Sequence, residues 1–346
     1  MPPTTHFPAP KGNFNFAVEE VSTPVLDLEK DSSSEDAVDK CPDGGLKAWL
    51  VVLGLAAGSC TSFGLVQAWG VFQAYYTETL LADTSPSNIA WIGSIQYSFG
   101  FMPGILFGRL FDMGYLRLPM LFASSLLVAA TIATGQCTKY WQFLLCQGIA
   151  TGIASGILFT AIMGTYAHWF DKRLGLAYAV GSFGSSMGGT IFPIIIRNLL
   201  QHQSFQWTMR ITGFIVFGFL VICNLTIARR LPPKTHQGPF FRLGEFRSPA
   251  YCAYTAAAFV EFLGLYTLLT YLNTSALAAG VDAGLSSYLV ALVNAVSMLG
   301  RLVSGVLADH YGLHADEMAG SCLLVASVLL GVTRRFVLKS RWIGNA

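Results

Sequence analysis

After Lys47 the sequence is a succession of apolar stretches about 20 residues long, the length that crosses a bilayer core as a helix, and charge is largely confined to the gaps between them. Residues 1–47 hold 13 of the 40 charged side chains, which leaves 27 for the other 299 residues. Soluble domains carry about a quarter charged residues, and this chain has 12%. Apolar residues in such excess have no protein core to fill and need lipid. A soluble enzyme is excluded on that ground. So is a nucleic-acid-binding domain, since a net charge of +2 provides no basic stripe for phosphates.

The hydropathy pattern predicts an all-α polytopic membrane protein with nine spans: 47–72, 88–108, 118–136, 141–167, 174–197, 208–228, 250–272, 284–307 and 316–333. Trp49, Trp69, Trp91, Trp141, Trp169 and Trp207 fall near span ends, where amphipathic rings favour the interface. Residues 1–45, rich in Pro, Ser, Asp and Glu, read as a disordered cytoplasmic tail with no secretory signal. The gap at 229–249 reads as a central cytoplasmic loop, separating a six-helix bundle (46–228) from a partial three-helix bundle (250–333).

Orientation follows from Lys and Arg in the loops. With the N-terminus inside, internal loops hold Arg109, Arg117, Lys172, Arg173, Arg229, Arg230, Lys234, Arg242 and Arg247, whereas external loops hold only Lys139, Arg197 and Arg210. The basic tail at 334–346, with Arg334, Arg335, Lys339 and Arg341, breaks this rule if all nine spans cross.

The two halves repeat a motif. Gly108-Arg109-Leu110-Phe111-Asp112-Met113-Gly114 follows span 2, and Gly300-Arg301-Leu302, Gly305, Leu307-Ala308-Asp309 and Gly312 follow the same pattern at the end of span 8. Duplicated six-helix units joined by a long cytoplasmic loop are the plan of major facilitator transporters. Asp112 and Asp309, with Arg109, are expected to act in gating, by accepting from the N-terminus of the next helix or pairing with an Arg; the alternative is an ordinary solvated turn.

Pro42-Asp43-Gly44-Gly45-Leu46-Lys47-Ala48-Trp49 resembles the Asp-Gly-Gly motif that opens span 1 of monocarboxylate-transporter-like permeases. Trp169-Phe170-Asp171-Lys172-Arg173-Leu174-Gly175-Leu176-Ala177, with Gly181, Gly184, Gly188 and Gly189, resembles their span 4–5 connection. Phe63-Gly64, Gly70-Val71-Phe72-Gln73 and Tyr75-Tyr76 are similar to the fungal branch. The resemblance covers residues 42–332. It implies the major facilitator architecture, with nine of twelve helices present, and secondary transport of a monocarboxylate or related small organic metabolite by alternating access. The family's twelve spans make the chain look C-terminally truncated, through early termination, a retained intron or a frame error. The resemblance also implies a plasma-membrane location. Animal members carry a span 1 Lys where this chain has Gln67, and an Asp one turn before the span 8 Arg where it has Ser297. Lactate-type proton symport is therefore not implied.

Three residues are expected to meet substrate. Arg301 offers a planar fork for a carboxylate, Asn294 lies on the same face of span 8, and Gln67 stands at the family's Lys position. Arg301 has a second reading as part of the gate. Glu261, in the middle of span 7, is expected to couple protons, since burial favours its neutral form; the alternative is a permanently protonated side chain bonded to a neighbouring helix. His168 reads as a solvated interfacial residue. Asn273-Thr274-Ser275 is a glycosylation sequon on the external side.

No cofactor or metal is expected: His310 and His314 would ligate only in a helical loop. The seven cysteines form no C-x-x-C pair and read as small apolar residues. The partners expected are a small organic acid or metabolite, protons and the lipid bilayer, with no nucleic acid. A non-transporting sensor or an inactive remnant of a transporter is the alternative function. A membrane-embedded enzyme has no His/Asp or Cys/His constellation at one depth to support it.

Overall fold

The computed structural model describes residues 43–232, 243–249 and 283–311, with short stretches between 251 and 280. Among the described residues, every regular element is helical. Span 1 runs over Leu46–Leu80, span 3 over Arg117–Thr134, span 4 over Tyr140–Tyr166, span 5 over Leu174–His202 and span 6 over Phe205–Thr226, all long and apolar enough to cross a membrane. Span 8 is the helix Ala283–Tyr311. Span 2 is built in two pieces, Pro86–Phe99 and Gly104–Asp112. Of span 7, Tyr251–Val260 belongs to a short apolar helix; span 9 lies outside the described residues.

Local chemistry sets the helix ends. Pro86 starts span 2 at a position where its missing N–H costs nothing, and Ser85 Oγ accepts from Asn88 N–H at 3.3 Å. Ser204 does the same for span 6 through Trp207 N–H, 3.4 Å. At span 4, Gln142 Oε1 accepts from Thr138 and Lys139 N–H, 2.8 and 3.0 Å. Pro103 leaves the first piece of span 2 without its next backbone donor, and the helix restarts at Gly104. Pro193, by contrast, sits inside a continuous span 5. Within the spans, Thr61, Ser62, Thr131, Thr134, Thr165 and Thr212 return their hydroxyls to carbonyls three or four residues back, so each satisfies itself without water.

Span 1 is the innermost helix, with 72% of its most apolar window buried against 39% for spans 3 and 6. It lies against span 5 through glycine. A Cβ on Gly184 would stand 2.1 Å from the Ala56 carbonyl, and one on Gly188 2.1 Å from the Cys60 carbonyl. Span 4 uses glycine in the same way against span 2. Gly148, Gly152 and Gly156 face the carbonyls of Ile92, Gln96 and Phe99 at 3.3, 2.9 and 2.6 Å. The glycine series Gly100, Gly104 and Gly108 in span 2 does not mirror this. A Cβ on Gly104 would stand 3.0 Å from Thr160 Oγ1 and one on Gly108 3.7 Å from the Thr160 methyl, both side-chain contacts, whereas the glycines of span 4 approach backbone.

Small residues let helices meet where lipid and leucine are equally apolar. Replacing Gly184 or Gly188 with Ala forces two backbones apart and should cost about 1–3 kcal/mol. Thermal unfolding in detergent should show that loss for both, whereas Gly218→Ala, with nothing within 4 Å, should be neutral.

Candidate functional site

At the end of the bundle that carries the basic loops, span 5 begins at Leu174 with no side-chain cap of its own. Its exposed donors are met from span 8. Asp309 Oδ1 accepts from Gly175 N–H at 2.7 Å and Oδ2 from Leu176 N–H at 2.8 Å. A carboxylate on a helix N-terminus gains both the hydrogen bonds and the dipole. The approach needs Gly175 and Gly305: the Gly305 carbonyl is 2.8 Å from where a Gly175 Cβ would stand. Sequence reasoning expected Asp309 to accept from the helix that follows it or to pair with an Arg, the alternative being a solvated turn. It acts instead on span 5, in the other half of the chain.

A second carboxylate holds the same loop. Asp43 Oδ1 accepts from Asp171 and Lys172 N–H at 2.7 and 2.8 Å, and Asp43 N–H donates to the Trp169 carbonyl at 3.3 Å. Its φ of 48° and the φ of 91° at Gly45 turn the chain into span 1; Asp and Gly tolerate that left-handed region. The hydrogen bond from Asp171, with those from Lys172 and Arg173, outweighs desolvation and lowers the Asp43 carboxyl below its ordinary range. The Asp-Gly-Gly motif is thus a tether between the start of span 1 and the 4–5 connection, a role only the fold discloses.

The rest of this end is tied by the chain leaving span 6. Trp169 Nε1 donates to the Ala228 carbonyl at 2.8 Å. Arg229 donates to the carbonyls of Leu231 (2.8 Å), Pro232 (3.0 Å), Asp112 (3.3 Å) and Phe111. His168 is buried, not solvated: Leu231 N–H donates to its Nδ1 at 3.4 Å, and its ring lies 5.1 Å from that of Phe111. Arg109 occupies the last turn of span 2. In the repeated motif Asp309 seats its carboxylate on span 5, and the Asp112 carbonyl receives Arg229.

From this end spans 5 and 8 run antiparallel in contact, Gly305 meeting Ala179 and Asn294 meeting Gly189. At the second meeting the expected pair converges. Gln67 Oε1 lies 2.7 Å, and Asn294 Cγ 2.9 Å, from where a Gly189 Cβ would stand. Gln67 Nε2 donates to the Ser185 carbonyl and Asn294 Nδ2 to the Gly189 carbonyl, both at 3.3 Å. One turn from Gln67, Phe63 packs with Phe101 and Phe159, centroids 5.6 and 4.8 Å away. Arg301 is two helical turns nearer the basic end, where its Nε donates to Ser297 Oγ at 3.3 Å. Glu261, Asn273 and His314 lie outside the described residues, and no metal-ligand cluster occurs among those described.

The chain matches the family profile "Major Facilitator Superfamily" over residues 51–344, past the point near Val332 where the motif resemblance ends. It is 37% identical over 294 residues to "MFS transporter asaE" of Aspergillus flavus, covering 84% of this chain and 66% of that one. It is 40% identical over 273 residues to "Aspyridones efflux protein apdF" of Emericella nidulans, covering 78% and 55%. To "MFS-type transporter pytF" of Aspergillus terreus it is 35% identical over 290 residues, covering 83% and 98%. The chain thus spans between about half and two thirds of the first two relatives. It belongs to the Major Facilitator Superfamily, a family of multi-pass membrane transporters rather than enzymes.

The lowered Asp43 carboxyl makes stability depend on pH in one direction. A group whose pKa falls on folding stabilises above its free value, about 4, and loses that contribution as pH drops through the lowered value. Asp43→Asn should therefore unfold at a lower temperature than the parent at pH 6. The difference should close below about pH 4, followed by thermal melts in detergent across that range.

Proposed function

We propose that this member of the superfamily carries a small organic metabolite across the membrane by alternating access, with the Asp309 seat on span 5 as its cytoplasmic gate. The observation that carries the reading is the pair of hydrogen bonds from Gly175 and Leu176 to one carboxylate. That contact joins a helix before the 229–249 gap to a helix after it, so the two halves separate only when it opens. Hydrogen bonds to a charged group contribute about 1.5–3 kcal/mol each. A gate of that size can hold one state and still be released by substrate binding of ordinary strength.

Relatives named as efflux proteins support export of a secondary metabolite, and discharge to the outside would put the protein in the plasma membrane. The substrate would sit at Gln67 and Asn294, whose carboxamides both donate and accept, beside the phenyl group of Phe63. The motif resemblance and the guanidinium of Arg301 favour a monocarboxylate or another weak acid. Proton coupling would fall to Glu261.

Flux through the full chain in proteoliposomes, followed with a labelled aspyridone and with labelled lactate, tests the reading. Gln67→Ala and Asn294→Ala should each slow flux about 5-fold, the loss expected for one hydrogen bond. Glu261→Gln should abolish its pH dependence. Substrate binding with no flux would replace transport by sensing.

A further inference from the structure

The loop joining spans 2 and 3 and the end of span 6 enclose a cleft of about 350 Å³, lined by Gly114 to Leu118 and by Ala228 and Arg229. Two guanidinium groups reach it. Arg229 is fixed there by its four carbonyl acceptors, which hold its position and leave its charge in place. Arg117, in the first turn of span 3, is exposed. Among the lining residues the charged ones are Arg117 and Arg229, so the cleft is basic.

What lies beyond the cleft is apolar. Down span 3, Leu118 is 72% exposed and Leu121 and Phe122 more than half exposed; on span 6, Leu225 is 80% exposed. The two helices are joined where Asn224 Nδ2 donates to Ser124 Oγ at 2.8 Å, two turns below Arg117. The seam is therefore closed at depth and open at the basic rim. Four of the five Arg229 N–H donors are held by carbonyls, so a phosphate in the cleft would take its hydrogen bonds chiefly from Arg117 and meet the charge and one N–H of Arg229. Acyl chains attached to it would run over Leu118, Leu121, Phe122 and Leu225.

We infer that the cleft between spans 3 and 6 binds the headgroup of an anionic phospholipid of the inner leaflet, with Arg117 and Arg229 on its phosphate. The leaflet assignment rests on the proposed cytoplasmic orientation of the basic loops; the binding itself rests on the cleft. Basic pockets between spans at the cytoplasmic face take anionic headgroups. A free phosphate would use the same guanidinium groups and gain nothing from the four apolar residues, which is why the lipid is the occupant the surface fits.

The experiment uses the full chain in a neutral detergent, so it depends on neither flux nor orientation. Phosphatidylserine, phosphatidylcholine or inorganic phosphate is added, and retained lipid is counted by native mass spectrometry alongside the unfolding temperature. Phosphatidylserine should be retained and raise the unfolding temperature, whereas phosphatidylcholine and inorganic phosphate should not. Arg117→Gln should cut retention about 5-fold without changing the lipid-free unfolding temperature, and Arg117→Lys should keep most of it. A photoreactive phosphatidylserine should label peptides containing Leu118, Leu121 or Leu225 in the parent chain. Equal retention of phosphatidylcholine, the same effect from inorganic phosphate alone, retention unchanged in Arg117→Gln, or labelling elsewhere would each overturn the assignment.

Discussion

Everything in this bundle depends on two backbones coming closer than side chains allow. In hydrocarbon a leucine gains little by leaving lipid for protein, so helices are held by dispersion and by polar contacts made at short range. Span 5 supplies that range twice. Gly184 and Gly188 press it against the carbonyls of span 1, and Gly175 lets span 8 reach its first turn. With span 5 placed by the first contact, its N-terminus stands ready for Asp309 and its middle carries Gly189 to Gln67 and Asn294. One helix thus sets both the gate and the polar pair, and it does so from opposite ends of the same antiparallel contact with span 8.

The gate region shows how a breakable contact is kept accurate. The connection before span 5 offers successive backbone donors, and two carboxylates divide them. Asp43 takes those of Asp171 and Lys172 from within the first half, while Asp309 takes those of Gly175 and Leu176 from the second. A loop left to itself would lose its conformation whenever Asp309 withdrew, and each re-docking would have to order it again. The Asp43 tether bears that entropy cost once, at folding. Trp169, His168 and Arg229 add the end of span 6 to the same structure, so the loop that Asp309 meets is held by contacts of its own.

The spans were legible because their cause is local. A window of apolar residues, a Ser before Trp207, and a Pro after Ser85 fix helices at places that any reading of hydropathy and capping finds. Expected spans 88–108, 174–197 and 284–307 correspond to helices at 86–112, 174–202 and 283–311. The break before Gly104 was equally visible in Pro103. What could not be read is which partner a polar group finds across the bundle. Asp309 and Gly175 are 134 residues apart, and nothing near either names the other. Gly100, Gly104 and Gly108 repeat every four residues, as a seam would, yet the approach to a neighbouring backbone belongs to the glycines of span 4. Spacing marks a smooth helix face and says nothing of what packs on it. His168 misled for a related reason: its neighbours Lys172 and Arg173 suggest water, but the returning chain at Leu231 covers it.

The central pair bears on what kind of molecule suits this protein. A fixed charge at mid-depth is expensive, and a transporter carries that cost in every state that empties the site. Here the depth of Gly189 is served by carboxamides, both already holding backbone carbonyls in the absence of a ligand. Such groups meet their backbone partners without burying a charge, so neither carboxamide of the pair is stranded. The guanidinium of Arg301, two turns away and hydrogen-bonded to Ser297, lies along span 8 between that pair and the Asp309 seat. The guanidinium and the carboxamide pair thus stand at different levels of the bundle, with the aromatic cluster of Phe63, Phe101 and Phe159 one turn from Gln67.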